Sequence, residues 1–171
     1  MSALLDTSML VHYLTGDPSD LADASARVID GEDPLLITDI VLFETAYVRR
    51  SENDVPREAI VDHLIALLRK ANVDTFRLDK HLVIEALLLC RPSGRVSFGD
   101  ALIWAAARSE ADPIVYSLDR RFPDESITVL QSARGEEPGD STGLSGAAAT
   151  RRANRGGATI GARAPRGAVG V

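Results

Sequence analysis

One cysteine, Cys90, in 171 residues excludes an internal disulfide framework and any cysteine-based zinc cluster. It lies in the apolar run EALLLC, which suits a small core residue better than a nucleophile. Histidine is no richer in metal-site pattern: His12, His63 and His81 fall on three separate predicted helices with no shared ligand spacing. No stretch approaches the ~18 consecutive apolar residues of a membrane span. Ala3-Leu4-Leu5 before Asp6, without a basic region, does not read as a signal peptide. A soluble cytoplasmic protein with no membrane partner is the expectation. Basic charge is also short, with 19 Lys and Arg against 25 Asp and Glu, which argues against strong nonspecific gripping of nucleic acid.

The chain is 45% hydrophobic, enough for a globular core, but that average hides a boundary. All eight aromatic residues lie at or before Phe122. Residues 134–171 hold nine of the thirteen glycines and eight alanines. Charge divides at the same place, −9 over residues 1–133 and +3 over residues 134–171. The expected organisation is therefore an acidic folded domain over 1–133 and a Gly/Ala/Arg-rich disordered tail over 134–171.

Within the domain, short apolar runs alternate with helical patterns. Strands are expected at 2–5, 35–37, 73–78, 114–116 and 127–130. Helices fit 8–14 and 19–30, a segment from Ile40 through Val48 capped by Thr38 or Asp39, and one opened by Asp54-Val55-Pro56. Two more follow, one capped by Asp79 and reaching Leu89, the other capped by Ser97 and running through Ala107. Such alternation predicts an α/β fold with a mostly parallel central sheet covered on both faces, a three-layer α/β/α sandwich.

Four carboxylates stand where a carboxylate is costly or exposed to a crevice. Asp6 ends the first strand and Asp119 follows the fourth, and sites in open α/β sheets form outside the carboxyl ends of parallel strands. Helix capping for Asp6 and a turn for Asp119 are the plainer readings. Glu44 shares a helical stripe with Ile40, Tyr47 and Val48, which is expected to face the sheet; a solvated edge position is the alternative. Asp100 precedes Ile103, Trp104 and Ala107 at helical spacing, or else closes a capping box with Ser97. Two carboxylates ~5 Å apart repel by roughly 3 kcal/mol at an effective dielectric near 20. A shared site therefore calls for a cation, and an all-oxygen set selects Mg²⁺ or Mn²⁺.

The segments LLDTSMLV, VLFETAYV, FGDALIWAAAR and YSLDRRF together resemble the PIN-domain family, and their order and spacing resemble its VapC-type toxins of toxin–antitoxin pairs. The resemblance spans about residues 1–131. It implies an α/β/α sandwich and a metal-dependent endoribonuclease. Asp6, Glu44, Asp100 and Asp119 match the family's acidic positions, with metal binding assigned most firmly to Asp6 and Asp100. Ser8 and Ser117 match polar positions beside the acids. It further implies an RNA substrate, a homodimer and a cognate antitoxin that covers the site. The 38-residue extension is a departure from the family pattern.

Arg91, Arg95, Arg120 and Arg121 flank the acidic motifs and are the candidates for holding phosphates. Trp104 reads as packing, and Arg49-Arg50 as cations at a helix C-terminus. The competing function is a catalytically silent RNA- or partner-binding module using the same acidic pocket. A phosphatase-like hydrolase would want a second aspartate two residues after Asp6, where Ser8 stands.

Overall fold

The structure is a computed structural model that describes residues 1–92 and 94–131. The chain divides into two units, Met1–Glu136 and Glu137–Val171. The expected tail over 134–171 lies outside the described residues.

The element order is β1 (Ala3–Leu4), α1 (Thr7–Thr15), α2 (Ser19–Ile29), β2 (Leu35–Ile37), α3 (Asp39–Ser51), α4 (Arg57–Leu68), β3 (Val73–Thr75), α5 (Lys80–Cys90), α6 (Phe98–Arg108), β4 (Ile114–Tyr116) and β5 (Thr128–Leu130). Local chemistry sets most boundaries. Thr38 rather than Asp39 caps α3, its Oγ1 accepting from the Val41 N–H at 3.3 Å. Asp79 accepts from the N–H groups of His81 and Leu82 and starts α5. Ser97 accepts from the Asp100 N–H at 3.0 Å and starts α6. Each satisfies a donor that the first helical turn leaves orphaned. Gly16 ends α1 at φ 73°, a left-handed conformation that glycine adopts without steric cost. β3 stops at Thr75, short of the expected 78, because Arg77 turns to φ 65° and takes the chain out of the ladder.

Every strand pairing is parallel. β2 lies between β1 and β3, and β4 pairs with β5 in a second ladder. Parallel neighbours need crossovers, which α1–α2 and α3–α4 supply. The register aligns Leu4, Leu36 and Asp74 across the first sheet. The residues one step on, Leu5, Ile37 and Thr75, are buried with Leu35 and Val73 on the core face. On the other face Leu4 and Asp74 are exposed and Leu36 is half-buried. The core continues through Leu10, Ile29, Leu42, Leu64, Leu68, Val83, Leu87 and Trp104. These elements make an α/β fold, with helices packed on parallel strands whose carboxyl ends lead into Asp6, Thr38 and Ser117.

The face presented by α3 differs from expectation. Its buried residues are Leu42, Thr45, Ala46 and Arg49, whereas Ile40, Phe43 and Tyr47 are 70%, 45% and 62% exposed. Glu44 therefore lies on the solvent side with them, not against the sheet. Two apolar stripes compete on this helix, and the one flanked by small Ala46 and Thr45 allows the closer approach to α1, α4 and α6. Trp104, in contrast, is buried as packing, with its indole N–H donating to the Glu125 carbonyl at 3.0 Å.

Candidate active site

Asp6 leaves β1 in extended conformation and stands at the N-cap of α1, but its side chain makes no cap bond to the helix. It accepts instead from the Ser8 hydroxyl at 2.8 Å. That hydroxyl, and after it the neighbouring backbone N–H groups of Thr7 and Ser8, hold the Asp6 carboxyl below the usual carboxylate range. Thr7, the first residue of α1, is buried and turns its hydroxyl to α3, donating to Glu44 Oε2 at 2.6 Å. One dipeptide thus carries an acid and ties down a second one from 37 residues away.

Asp100 occupies the first turn of α6, where a negative charge suits the helix dipole. Its Oδ2 accepts from the Ser97 hydroxyl at 2.7 Å while its N–H donates back to the same oxygen. Ser97 thus supplies its half of the expected capping box, while the Asp100 carboxylate takes the Ser97 hydroxyl rather than the Ser97 N–H. A Cβ built on the preceding residue, Gly99, would lie 3.5 Å from the Phe43 ring. Residues directly before Asp100 and Glu44 therefore meet across α6 and α3. Between these helices runs an apolar groove of about 350 Å³, lined by Ile40, Phe43, Leu102 and Ile103 with Asp39 at its rim.

Asp119 lies in the turn after β4. Its Oδ1 accepts from the Arg121 N–H at 2.9 Å and pairs with Arg121 Nε at 3.4 Å. The backbone bond first, then the guanidinium, keeps its pKa low. Ser117 accepts from the Asp119 N–H at 3.1 Å. The contacts of Asp119 lie within its own turn, so its turn-forming role is realised. Arg120 is exposed. Arg121 and Arg95 line one hollow of about 310 Å³. Arg91 is paired on the surface: its Nε and Nη2 both donate to the Asp62 carboxylate at 2.9 Å.

Thr7, next to Asp6, is tied to Glu44 of α3, and Gly99, next to Asp100, packs near Phe43 of the same helix. Among the described residues, no three His, Cys, Asp or Glu side chains form a group ready to hold one metal ion. The candidate acids and their hydroxyl partners offer oxygen donors, a chemistry suited to a hard cation. The Cys90 thiol is buried, its pKa pushed up to about 11, and His12 Nδ1 bonds the Asp17 carbonyl at 2.9 Å. Mg²⁺ takes only one or two carboxylates and fills its shell with water and phosphate oxygens, so a closed cage is unnecessary.

Two hydroxyls were not recognised as site residues in the sequence. Thr7 lies inside the DTS motif, but its partner is remote in sequence. Ser97 is legible as a cap, though not as a donor to Asp100.

The model of the PIN domain matches residues 3–125 of the chain. The chain belongs to the PIN domain family. PIN domains are generally nucleases that use divalent metal ions, so a hydrolase acting on nucleic acid is the activity class the family gives this fold. No curated protein and no solved structure matches the chain. Among the described residues, no helix is long and apolar enough to cross a membrane.

Proposed function

We propose that this PIN domain is a Mg²⁺- or Mn²⁺-dependent endoribonuclease, the cytoplasmic toxin of a type II toxin–antitoxin pair, with its nuclease domain over residues 1–133. The observation that carries the reading is the Thr7–Glu44 hydrogen bond, which draws a carboxylate of α3 to the residue next to Asp6 in a fold whose relatives cut nucleic acid. Asp6 and Asp100 hold the cation, with Asp119 as a further ligand. Glu44 acts through water or orients the attacking one. When bound, the cation supplies charge for the phosphate and acidity for that water. Ser8 and Ser97 fix the oxygens of Asp6 and Asp100, and Ser117 supports the turn that bears Asp119. Arg120 and Arg121, in that turn, meet the RNA backbone.

A negative domain favours a selective nuclease and a basic antitoxin segment as partner. The same reading includes a homodimer.

The competing reading is a binding module that holds RNA or a partner without cutting. What favours it is the lack of a ready three-acid group among the described residues. One experiment separates the two. Purified protein is incubated with total RNA in EDTA, Mg²⁺ or Mn²⁺, beside the Asp6→Asn and Asp100→Asn variants. The nuclease reading expects discrete fragments that require the metal and vanish in both folded variants. Intact RNA in every lane from metal-loaded protein would assign the binding role.

A further inference from the structure

Glu44 is an exposed residue on a helix face whose other members, Ile40 and Tyr47, offer its carboxylate no polar support on that face. Left alone, such a side chain samples several rotamers, and a ligand would have to stop that motion. Thr7 is its opposite. It is buried, it is held by the first turn of α1, and β-branching restricts its χ1. Its hydroxyl meets Glu44 Oε2 at 2.6 Å, the short distance of a hydrogen bond to an ionised acceptor. That bond selects one carboxylate oxygen and leaves Oε1 as the one open to a ligand. Because Thr7 follows Asp6 directly, the same backbone turn fixes where both acids stand.

From this geometry we infer that Thr7 is a positioning residue for the metal centre, registering Glu44 of α3 against Asp6 through its buried hydroxyl. The inference rests on the nuclease reading of the same site and adds to it a residue outside the acidic set. Thr7 touches neither metal nor RNA. It acts through Glu44, and its loss should cost metal affinity before it costs fold.

The test measures Mn²⁺ binding to the full chain by calorimetry, without RNA, for wild type, Thr7→Val, Thr7→Ser and Glu44→Gln, with circular dichroism and thermal midpoints alongside. Thr7→Val keeps the shape and removes the donor, and should weaken Mn²⁺ binding by about ten-fold or more. Thr7→Ser keeps the donor and should stay close to wild type. In the Glu44→Gln background, Thr7→Val should add little, since its route to the metal is already cut. If Thr7→Val proves unfolded, Thr7→Ala is the second hydroxyl-free variant, and the same loss is expected of it. Folded Thr7→Val or Thr7→Ala with wild-type Mn²⁺ affinity would overturn the inference, as would an undiminished loss in the Glu44→Gln background. A hydroxyl-free series that never folds while Thr7→Ser does would also overturn it, by making Thr7 a packing residue. Wild-type protein that binds no Mn²⁺ would instead remove the metal-centre reading itself, a result distinct from failure of the variants.

Discussion

Arg49 is the least comfortable residue of the domain. It lies on the core face of α3, 6% exposed, with its Nε buried and unpaired. Burial alone pulls its pKa down. Thr45 Oγ1, one turn earlier on the same face, is also buried without a hydrogen-bond partner. A buried donor left unsatisfied costs about 1–3 kcal/mol, whereas an apolar side chain of similar length would fill the same space without that penalty. Arg49→Met is therefore expected to stabilise the fold by about 1 kcal/mol, read as a higher urea midpoint with an unchanged slope. A lower midpoint would mean that the guanidinium contributes packing or solvent contacts that outweigh the orphaned Nε. The sequence suggested only a cation at a helix C-terminus, because charge position along a helix is legible while the direction of its face is not.

At the scale of elements, the starts of α3, α5 and α6 were legible because Thr38, Asp79 and Ser97 act locally, within three residues of their partners. What the sequence concealed was rotational. The apolar stripe of Ile40, Phe43 and Tyr47 outweighs Leu42 and Ala46 in bulk, yet the smaller stripe faces the core. The acids at Asp6 and Asp100 were found from strand ends and helix starts, whereas Glu44 was chosen on a burial argument that its exposure does not support. A second long-range tie is electrostatic. Lys70, just past α4, pairs with Asp30 at the end of α2 at 2.5 Å, and Tyr13 of α1 donates to the same oxygen at 2.8 Å. Lys70, then Tyr13, lowers the Asp30 pKa, while Asp30 raises that of Lys70. The depressed Asp30 contributes stability above its unfolded value of about 3.9, lost as pH falls through the folded one. The raised Lys70 contributes below about 10.4 and loses it as pH rises through its folded value. Asp30→Asn should therefore cost well under ~1 kcal/mol at neutral pH, since half of the Asp30 side chain is exposed, and the gap should narrow as pH falls through the lowered folded pKa of Asp30. Parallel urea titrations of both proteins check this, and a gap that widens in acid would contradict it.

On the whole-molecule scale, the four candidate acids come from segments scattered along the chain, and each has its own hydroxyl neighbour. Ser8 serves Asp6, Thr7 serves Glu44, Ser97 serves Asp100, and Ser117 accepts from the Asp119 backbone. Four negative groups are thus accommodated by protein donors and by solvent, and the described core of Leu10, Leu42, Leu64 and Trp104 is built without them. This separates two events that structural zinc proteins merge, where metal binding is itself the folding free energy. EDTA should stop RNA cleavage and leave the thermal midpoint of the chain unchanged, as a calorimetric scan with and without chelator would read; a large drop would mean that the cation is part of the scaffold. On the proposed metal-dependent reading, such a molecule folds and stays idle in metal-poor surroundings and is armed by ion supply alone. Its activity would follow the free divalent concentration around it without any refolding step.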